Sequence, residues 1–180
     1  MPLSFRTAGP EDAGSVALLH ADSWRRHYRG AYADSFLDGD VVANRLAVWS
    51  ARLAAPAGSA TFLAEDSAGL VGFAHVILDH DTRWDSLVDN LHVVHDRHGS
   101  GIGRASMVRA AGVVTAEAAG RSLYLWVLEQ NTASQGFYRA LGGQRADAAV
   151  VKPPGGIPDR PNGSPVGLRF AWPDAAALAR

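Results

Sequence analysis

The stretch Leu91-His92-Val93-Val94-His95-Asp96-Arg97-His98-Gly99-Ser100-Gly101-Ile102-Gly103-Arg104 gathers three histidines, three alternate glycines and two arginines. Glycines let nearby backbone N–H groups turn into one concavity, and the first turn of a following helix adds unpaired N–H groups carrying partial positive charge. A diphosphate suits such a cradle. The glycine spacing fits neither G-x-G-x-x-G nor G-x-x-x-x-G-K-[ST], and no G-x-S-x-G elbow occurs, which weakens the dinucleotide, P-loop and serine-hydrolase readings. His92, His95 and His98 beside Asp96 have the ligand chemistry of a metal hydrolase. On an extended strand, three-residue spacing sends successive side chains to opposite faces, so no metal is expected.

These residues need elements to place them. Alternating Leu3, Phe5 and Thr7 predict a strand, and Gly9-Pro10-Glu11-Asp12 leads into a helix ending near Tyr28. Val42, Leu46, Trp49 and Leu53 predict one further helix between Asp34 and Pro56. Strands are predicted over 60–65, 70–78, 86–94 and 123–128, the first two as a hairpin across Asp66-Ser67-Ala68-Gly69. The 123–128 run is apolar throughout, as in a strand buried on both faces. Between the last two strands the glycine loop opens a helix with Met107, Ala111, Val114 and Ala118 on its apolar stripe. A short helix over 134–141 and strands over 144–151 and 166–172 follow. Residues 152–165, rich in Pro and Gly, read as an exposed loop, and 173–180 as a flexible tail. The order β-α-α-β-β-β-α-β-α-β-β, with no linker or repeat, implies one mixed α/β domain over 1–180.

Composition agrees with that. The chain has 180 residues, 47% of them hydrophobic, enough for one core that buries roughly 70% of the unfolded surface. A formal charge of −1 offers no long-range field for nucleic acid and no polybasic membrane patch. With no cysteine there is no disulfide, thiolate zinc site or acyl-cysteine. Neither a signal-like N-terminus nor an apolar run of about 18 residues occurs, so a cytoplasmic location is expected. Arginine supplies nearly all the basic residues, Lys152 being the only lysine, and alanine is frequent, a skew typical of GC-rich bacterial genomes.

Val93 through Gly103 resembles the acetyl-CoA signature of the GNAT superfamily of N-acetyltransferases, R/Q-x-x-G-x-G/A, with His98, Gly101 and Gly103 at the fixed positions. His98 stands where Arg or Gln is usual, with Arg97 beside it, so either side chain is open to approach a diphosphate. Asn131-Thr132-Ala133-Ser134-Gln135-Gly136-Phe137-Tyr138-Arg139-Ala140-Leu141-Gly142 resembles the family's N-x-x-[A/S]-x-x-F-Y-x-x-x-G. Gly143 replaces the aromatic usual after that pattern, which should loosen local packing. Trp24 to Gly30 and Leu168 to Trp172 are also similar to segments of small GNAT enzymes.

The resemblance implies a central, mostly antiparallel sheet flanked by helices, with acetyl-CoA as co-substrate and a small-molecule primary amine as partner. A protein N-terminus or lysine is the next possibility, and a homodimer stays open. One helix-terminus interaction gives only about 0.3–1 kcal/mol, up to ~2 in favourable sites, against roughly −8 for micromolar binding. The loop of His98, Gly99, Ser100, Gly101, Ile102, Gly103 and Arg104 therefore needs help. The resemblance implies that backbone at Leu91 and Val93, where two strands separate, pairs with the pantetheine arm. The N–H near Val93 would face the developing oxyanion. Asn131 and Ser134 are further cofactor-binding candidates, although a turn-forming Asn is as good a reading.

The family's tyrosine, Tyr138 here, would protonate the leaving thiolate. Spacing on a helix predicts Tyr138 outward and Phe137 inward. Period-two alternation places Asp89, Leu91 and Val93 on one strand face. Many GNAT enzymes carry a carboxylate or histidine on that face, so the resemblance implies Asp89 as the base, with His92 and Glu129 as alternatives and a merely structural Asp as good a reading. Trp24 and Tyr28 could form an aromatic or cation–π wall for the amine, or could be core. A non-catalytic acyl-CoA sensor on the same fold is the main competing function, the histidine-cluster metal hydrolase the lesser one.

Overall fold

The computed structural model describes residues 2–180. Its elements are β1 (Ser4–Thr7), α1 (Ala13–His27), α2 (Asp34–Asp38), α3 (Val41–Ala54), β2 (Ser59–Asp66), β3 (Gly69–Asp81) and β4 (Asp85–Val93). The second half holds α4 (Ile102–Glu117), β5 (Leu123–Leu128), α5 (Thr132–Ala140), β6 (Gln144–Val150) and β7 (Val166–Trp172). The strands form one sheet in the order β1-β2-β3-β4-β5-β7-β6. Only β4 and β5 run parallel, because α4 crosses between them; the other neighbours are antiparallel.

Each face of the sheet buries its own helices. On one, α1 and α3 bring Val16 and Trp49 onto Leu63 and Phe73. On the other, α4 lays Met107 and Val114 against Val76, Val88, Leu125 and Phe170. The β2–β3 hairpin closes as the sequence predicts: the Asp66 carboxylate accepts the Ala68 N–H at 2.7 Å, and Gly69 takes φ +97°. Among the described residues no helix is long and apolar enough to cross a membrane.

Two expectations about the elements need correction. The helix predicted between Asp34 and Pro56 is two, α2 and α3, broken at Gly39, where a Cβ would stand 2.7 Å from the Ser35 carbonyl oxygen. The break lets Phe36 and Leu37 pack with Trp24 and Tyr32 while Trp49 faces Phe73. The tail after Pro173 is not loose. Asp174 caps a short 3-10 helix (Ala175–Ala179), the Ala175 N–H donates to Arg121 O at 2.9 Å, and Ala175 and Leu178 are buried in the α4 core. The 152–165 loop is largely exposed but tied down. Pro154 is buried, Arg160 O accepts from Ala33, and the Asn162 side chain donates to Gly30 O and Tyr32 O.

Candidate active site

Parallel pairing of β4 with β5 stops at Val88 and Leu125. Beyond it the two strands diverge, and a cavity of about 450 Å³ opens between β4, β5, α5 and the end of α1. That volume suits a small ligand. The Val94 N–H donates to Val71 O in β3 at 2.9 Å, and neighbouring residues on a strand address opposite edges. The main-chain groups of Val93 and Leu91 therefore face the gap. Within it, Val93 O accepts from His98 Nε2 at 2.9 Å.

The glycine loop forms the far wall. Gly99 and Gly101 have φ of +78° and +87°, in the left-handed region that glycine enters without strain. The first bond into α4 runs from Ala105 N–H to Gly101 O. Among the described residues the N–H groups of Gly99, Gly101, Ile102, Gly103 and Arg104 have no acceptor. This is the fan of donors at a helix N-terminus that an anion would satisfy. Gly103 is small for a local reason: a Cβ there would lie 3.1 Å from Phe137 Cζ of α5.

Other loop side chains face elsewhere. The Ser100 hydroxyl donates to Arg97 O at 2.6 Å, and Ile102 is buried against Ala64 and Val71, so neither side chain lines the cavity. Arg97 and His98 both line it, but Arg97 is held by Asp66 at 3.0 Å. Arg104 lines it as well.

Across the gap, Asn131 Oδ1 caps α5 by accepting the Ser134 N–H at 3.1 Å, so the turn-forming reading of Asn131 describes its oxygen. Asn131 and Ser134 also line the cavity, with Phe137 and Tyr138. Tyr138 is not outward, while Phe137 is partly buried against the same core, as expected. Tyr138 is the more buried, packed against Phe170 and Trp172 of β7, because α5 lies in the sheet's cleft and not over open solvent. Burial pushes its phenol well above the ordinary tyrosine pKa, so it stays protonated. Packing beside it is not loosened by Gly143. The Trp172 ring fills the space, 2.6 Å from where a Cβ would stand, and its Nε1 donates to Leu141 O at 2.9 Å.

A bulge changes the face of the candidate base. His75 pairs with Asn90 but Val76 with Val88, which leaves Asp89 as an extra residue in β4. Period-two alternation fails there, and Asp89 joins Asn90 and His92 on the α1–α3 side instead of sharing a face with Leu91 and Val93. It meets Arg52 of α3 at 2.6 Å and accepts from Asn90 Nδ2 at 2.7 Å, while still lining the cavity. His92 lines it too, its Nδ1 2.7 Å from Ser23 Oγ. Burial, then His27 and Arg45, push His92 down to about 3, so its imidazole is neutral at pH 7. Glu129 lies outside the cavity, its N–H bonded to Val166 O.

Of the two aromatic candidates, Tyr28 lines the cavity and Trp24 does not. Trp24 is core, and its ring already carries a cation: Arg45 Cζ sits 4.2 Å from the centroid. Trp126 of β5, 37% exposed, lines the wall that Trp24 was expected to form. Its strand reads as buried on both faces, yet Trp126 stays exposed, with Arg169 Cζ of β7 4.5 Å from its ring. Ser23 also escapes sequence reading, since nothing in a helical Ser signals a histidine partner on a distant strand.

Unpaired loop amides, a parted strand edge and a buried tyrosine thus meet in one cavity. The sequence pattern of the Acetyltransferase (GNAT) family matches residues 21–142. The chain belongs to the GNAT acetyltransferase family. A Bacillus subtilis (strain 168) protein named as an uncharacterized N-acetyltransferase, YuaI, is 28% identical over 184 residues, covering 98% of this chain and 96% of that one. PaiA N-acetyltransferase from Thermoplasma acidophilum, solved with coenzyme A, superposes with TM-score 0.71 at 16% identity over 96% of this chain and 100% of that chain. YncA of Salmonella typhimurium, solved with its cofactor acetyl-CoA, gives 0.66 at 19% identity over 96% and 94%. These likenesses establish a GNAT fold, and the family makes this chain an N-acetyltransferase with acetyl-CoA as co-substrate.

Proposed function

We propose that this GNAT enzyme moves the acetyl group of acetyl-CoA to the primary amine of a small molecule by direct attack, with no acyl-enzyme. The carrying observation is that the acceptor-free amides between Gly99 and Arg104 border the same cavity as Tyr138. Those amides and the half-charge of α4 suit the diphosphate. The edge of β4 at Leu91 and Val93 suits the pantetheine amides, and the Val93 N–H, turned into the gap, is placed to donate to the developing oxyanion. Tyr138, kept neutral by burial, donates the proton that the departing sulfur needs.

Asp89 takes the amine proton, directly or through water. His92 is the alternative, its Nδ1 engaged with Ser23 Oγ at 2.7 Å. Tyr28 and Trp126 wall the acceptor side. A small acceptor fits the framing of that side. Gln130 Nε2 donates to His27 O and Arg29 O, and Asn162 to Gly30 O and Tyr32 O, so loops bracket the end of α1.

A thiol-release screen with acetyl-CoA against polyamines, amino acids, aminoglycosides and short peptides tests this. At least one small amine should give steady turnover, and Tyr138→Phe should lower kcat about 100-fold or more while acetyl-CoA still binds. Cofactor binding with no release from any acceptor would replace this reading with an acyl-CoA sensor, and a Tyr138→Phe protein as active as the parent would remove Tyr138 as the acid while leaving acetyl transfer in place.

A further inference from the structure

His92, His95 and His98 do not share one extended strand. His95 and His98 flank a 3-10 turn (His95–Arg97) that folds them toward each other, while His92 turns inward to Ser23. The third member of the exposed group is His27, from the last turn of α1. One ring nitrogen from each of His27, His95 and His98 lies within 4.8 Å of the other two. The His27 and His98 rings stack at 5.8 Å, and the His95 and His98 centroids are 5.3 Å apart.

We infer that His27, His95 and His98 form a binding site for a divalent transition-metal ion of the zinc class at the mouth of the cavity. Imidazole nitrogens suit zinc, copper and nickel, and three ligands with an open fourth position is a common zinc arrangement. A tetrahedral site with Zn–N of about 2.0–2.1 Å needs nitrogens about 3.3–3.4 Å apart, roughly 1.5 Å closer than the widest separation here. His95 is exposed and His27 half-buried, so rotation about their side-chain bonds can supply that approach to the fixed His98 ring.

His98 also has the outer partner that metal-bound histidines usually have. Its Nε2 donates to Val93 O, which leaves the lone pair on Nδ1 and fixes the ring. The nearby guanidinium groups are already held by carboxylates, Arg26 by Asp22 and Arg97 by Asp66, which lessens repulsion of a cation. His27 and His98 line the same cavity as Gly99 and Gly101. An ion here adds positive charge beside the glycine-loop amides, so metal binding and acetyl-CoA binding are coupled. That consequence rests on the acetyl-transfer reading; the site itself does not.

Untagged protein titrated with Co²⁺ and with Zn²⁺, without acetyl-CoA, tests the site by visible d–d absorption and calorimetry. One equivalent should bind, with tetrahedral Co²⁺ bands. His95→Ala and His27→Ala should each weaken binding at least tenfold, and His80→Ala, at a distant histidine, should not. Loss of the bands in the His80 variant, equal affinity in all variants, or only weak binding of several ions would overturn it. Acetyl-CoA titrations confirm that each variant is folded. In the same titrations, saturating Zn²⁺ should change acetyl-CoA affinity several-fold in the parent and not in His95→Ala. Unchanged affinity in the parent would remove the coupling while leaving a metal site shown by Co²⁺ intact.

Discussion

Asp89 shows how much one residue's setting decides. Its carboxylate is held by Arg52 and Asn90, both from the α1–α3 side, and it reaches the cavity because a bulge turns it there. How strongly the reaction depends on it follows from the amine. A lysine-like amine of pKa ~10.4 costs about 4.6 kcal/mol to deprotonate at pH 7, whereas an α-amino group near 7.8 costs about 1. Asp89→Asn should therefore lower kcat/KM about 10- to 100-fold for an amine of the first kind and several-fold less for the second. Paired kinetics on two acceptors of different basicity check this, and equal losses would remove Asp89 as the base. Neither the partner Arg52 nor the bulge was legible in the sequence. A bulge depends on the register of β4 against β3, which neither strand encodes alone.

At the scale of elements, the site is a meeting of ends: the N-termini of α4 and α5, the C-terminus of α1 and the parted ends of β4 and β5. Helix starts leave N–H groups free, and strands that stop pairing leave their edges free, so binding capacity collects where regular structure ends. Asn131 fixes one such end. Its cap on Ser134 N–H holds the first turn of α5 and so the helix that carries Tyr138. Asn131→Ala should cost about 1 kcal/mol, read as a lower urea midpoint at unchanged slope, and Asn131→Asp should restore most of it. A midpoint equal to the parent's in Asn131→Ala would show the cap to be idle. The order of elements was nearly complete in the periodicity. The split of α2 from α3 was missed because Gly39 is set by a close approach to Ser35, a matter of space and not of pattern.

For the whole molecule, two features of the core make measurable claims. The tail is part of it: Leu178 is 3% exposed beneath α4, and Leu178→Ala should cost about 2–4 kcal/mol in chemical denaturation. A loss under 0.5 kcal/mol would mean the tail is not docked in solution. The second is acid sensitivity. Burial, with Arg52 nearby, pushes His75 down to about 4, burial and His27 push His92 to about 3, and burial lowers His20 well below its ordinary value. In the unfolded chain each takes a proton near pH 6.5. Between pH 6.5 and about 4 the unfolded state thus binds more protons, and stability falls as pH falls, by up to about 1.4 kcal/mol per pH unit per histidine. Denaturation midpoints at pH 7.5 and 5 should differ accordingly, and His75→Gln should flatten the slope by about one proton. A pH-independent midpoint over that range would contradict neutral burial of these rings.

Local chemistry sufficed for much of this. Glycines at 99, 101 and 103 before an apolar helix, and the Asn131 to Gly142 pattern, determine an amide cradle and a helix bearing Tyr138, because φ freedom, helix periodicity and capping act within a few residues. Contacts between residues far apart in the chain were decided only on folding. Arg45 covers Trp24, Trp126 stays exposed beside Arg169, and His27 comes to lie beside His95 and His98. Such pairings depend on which faces the packed helices and the sheet bring together, and no short stretch of sequence contains that information.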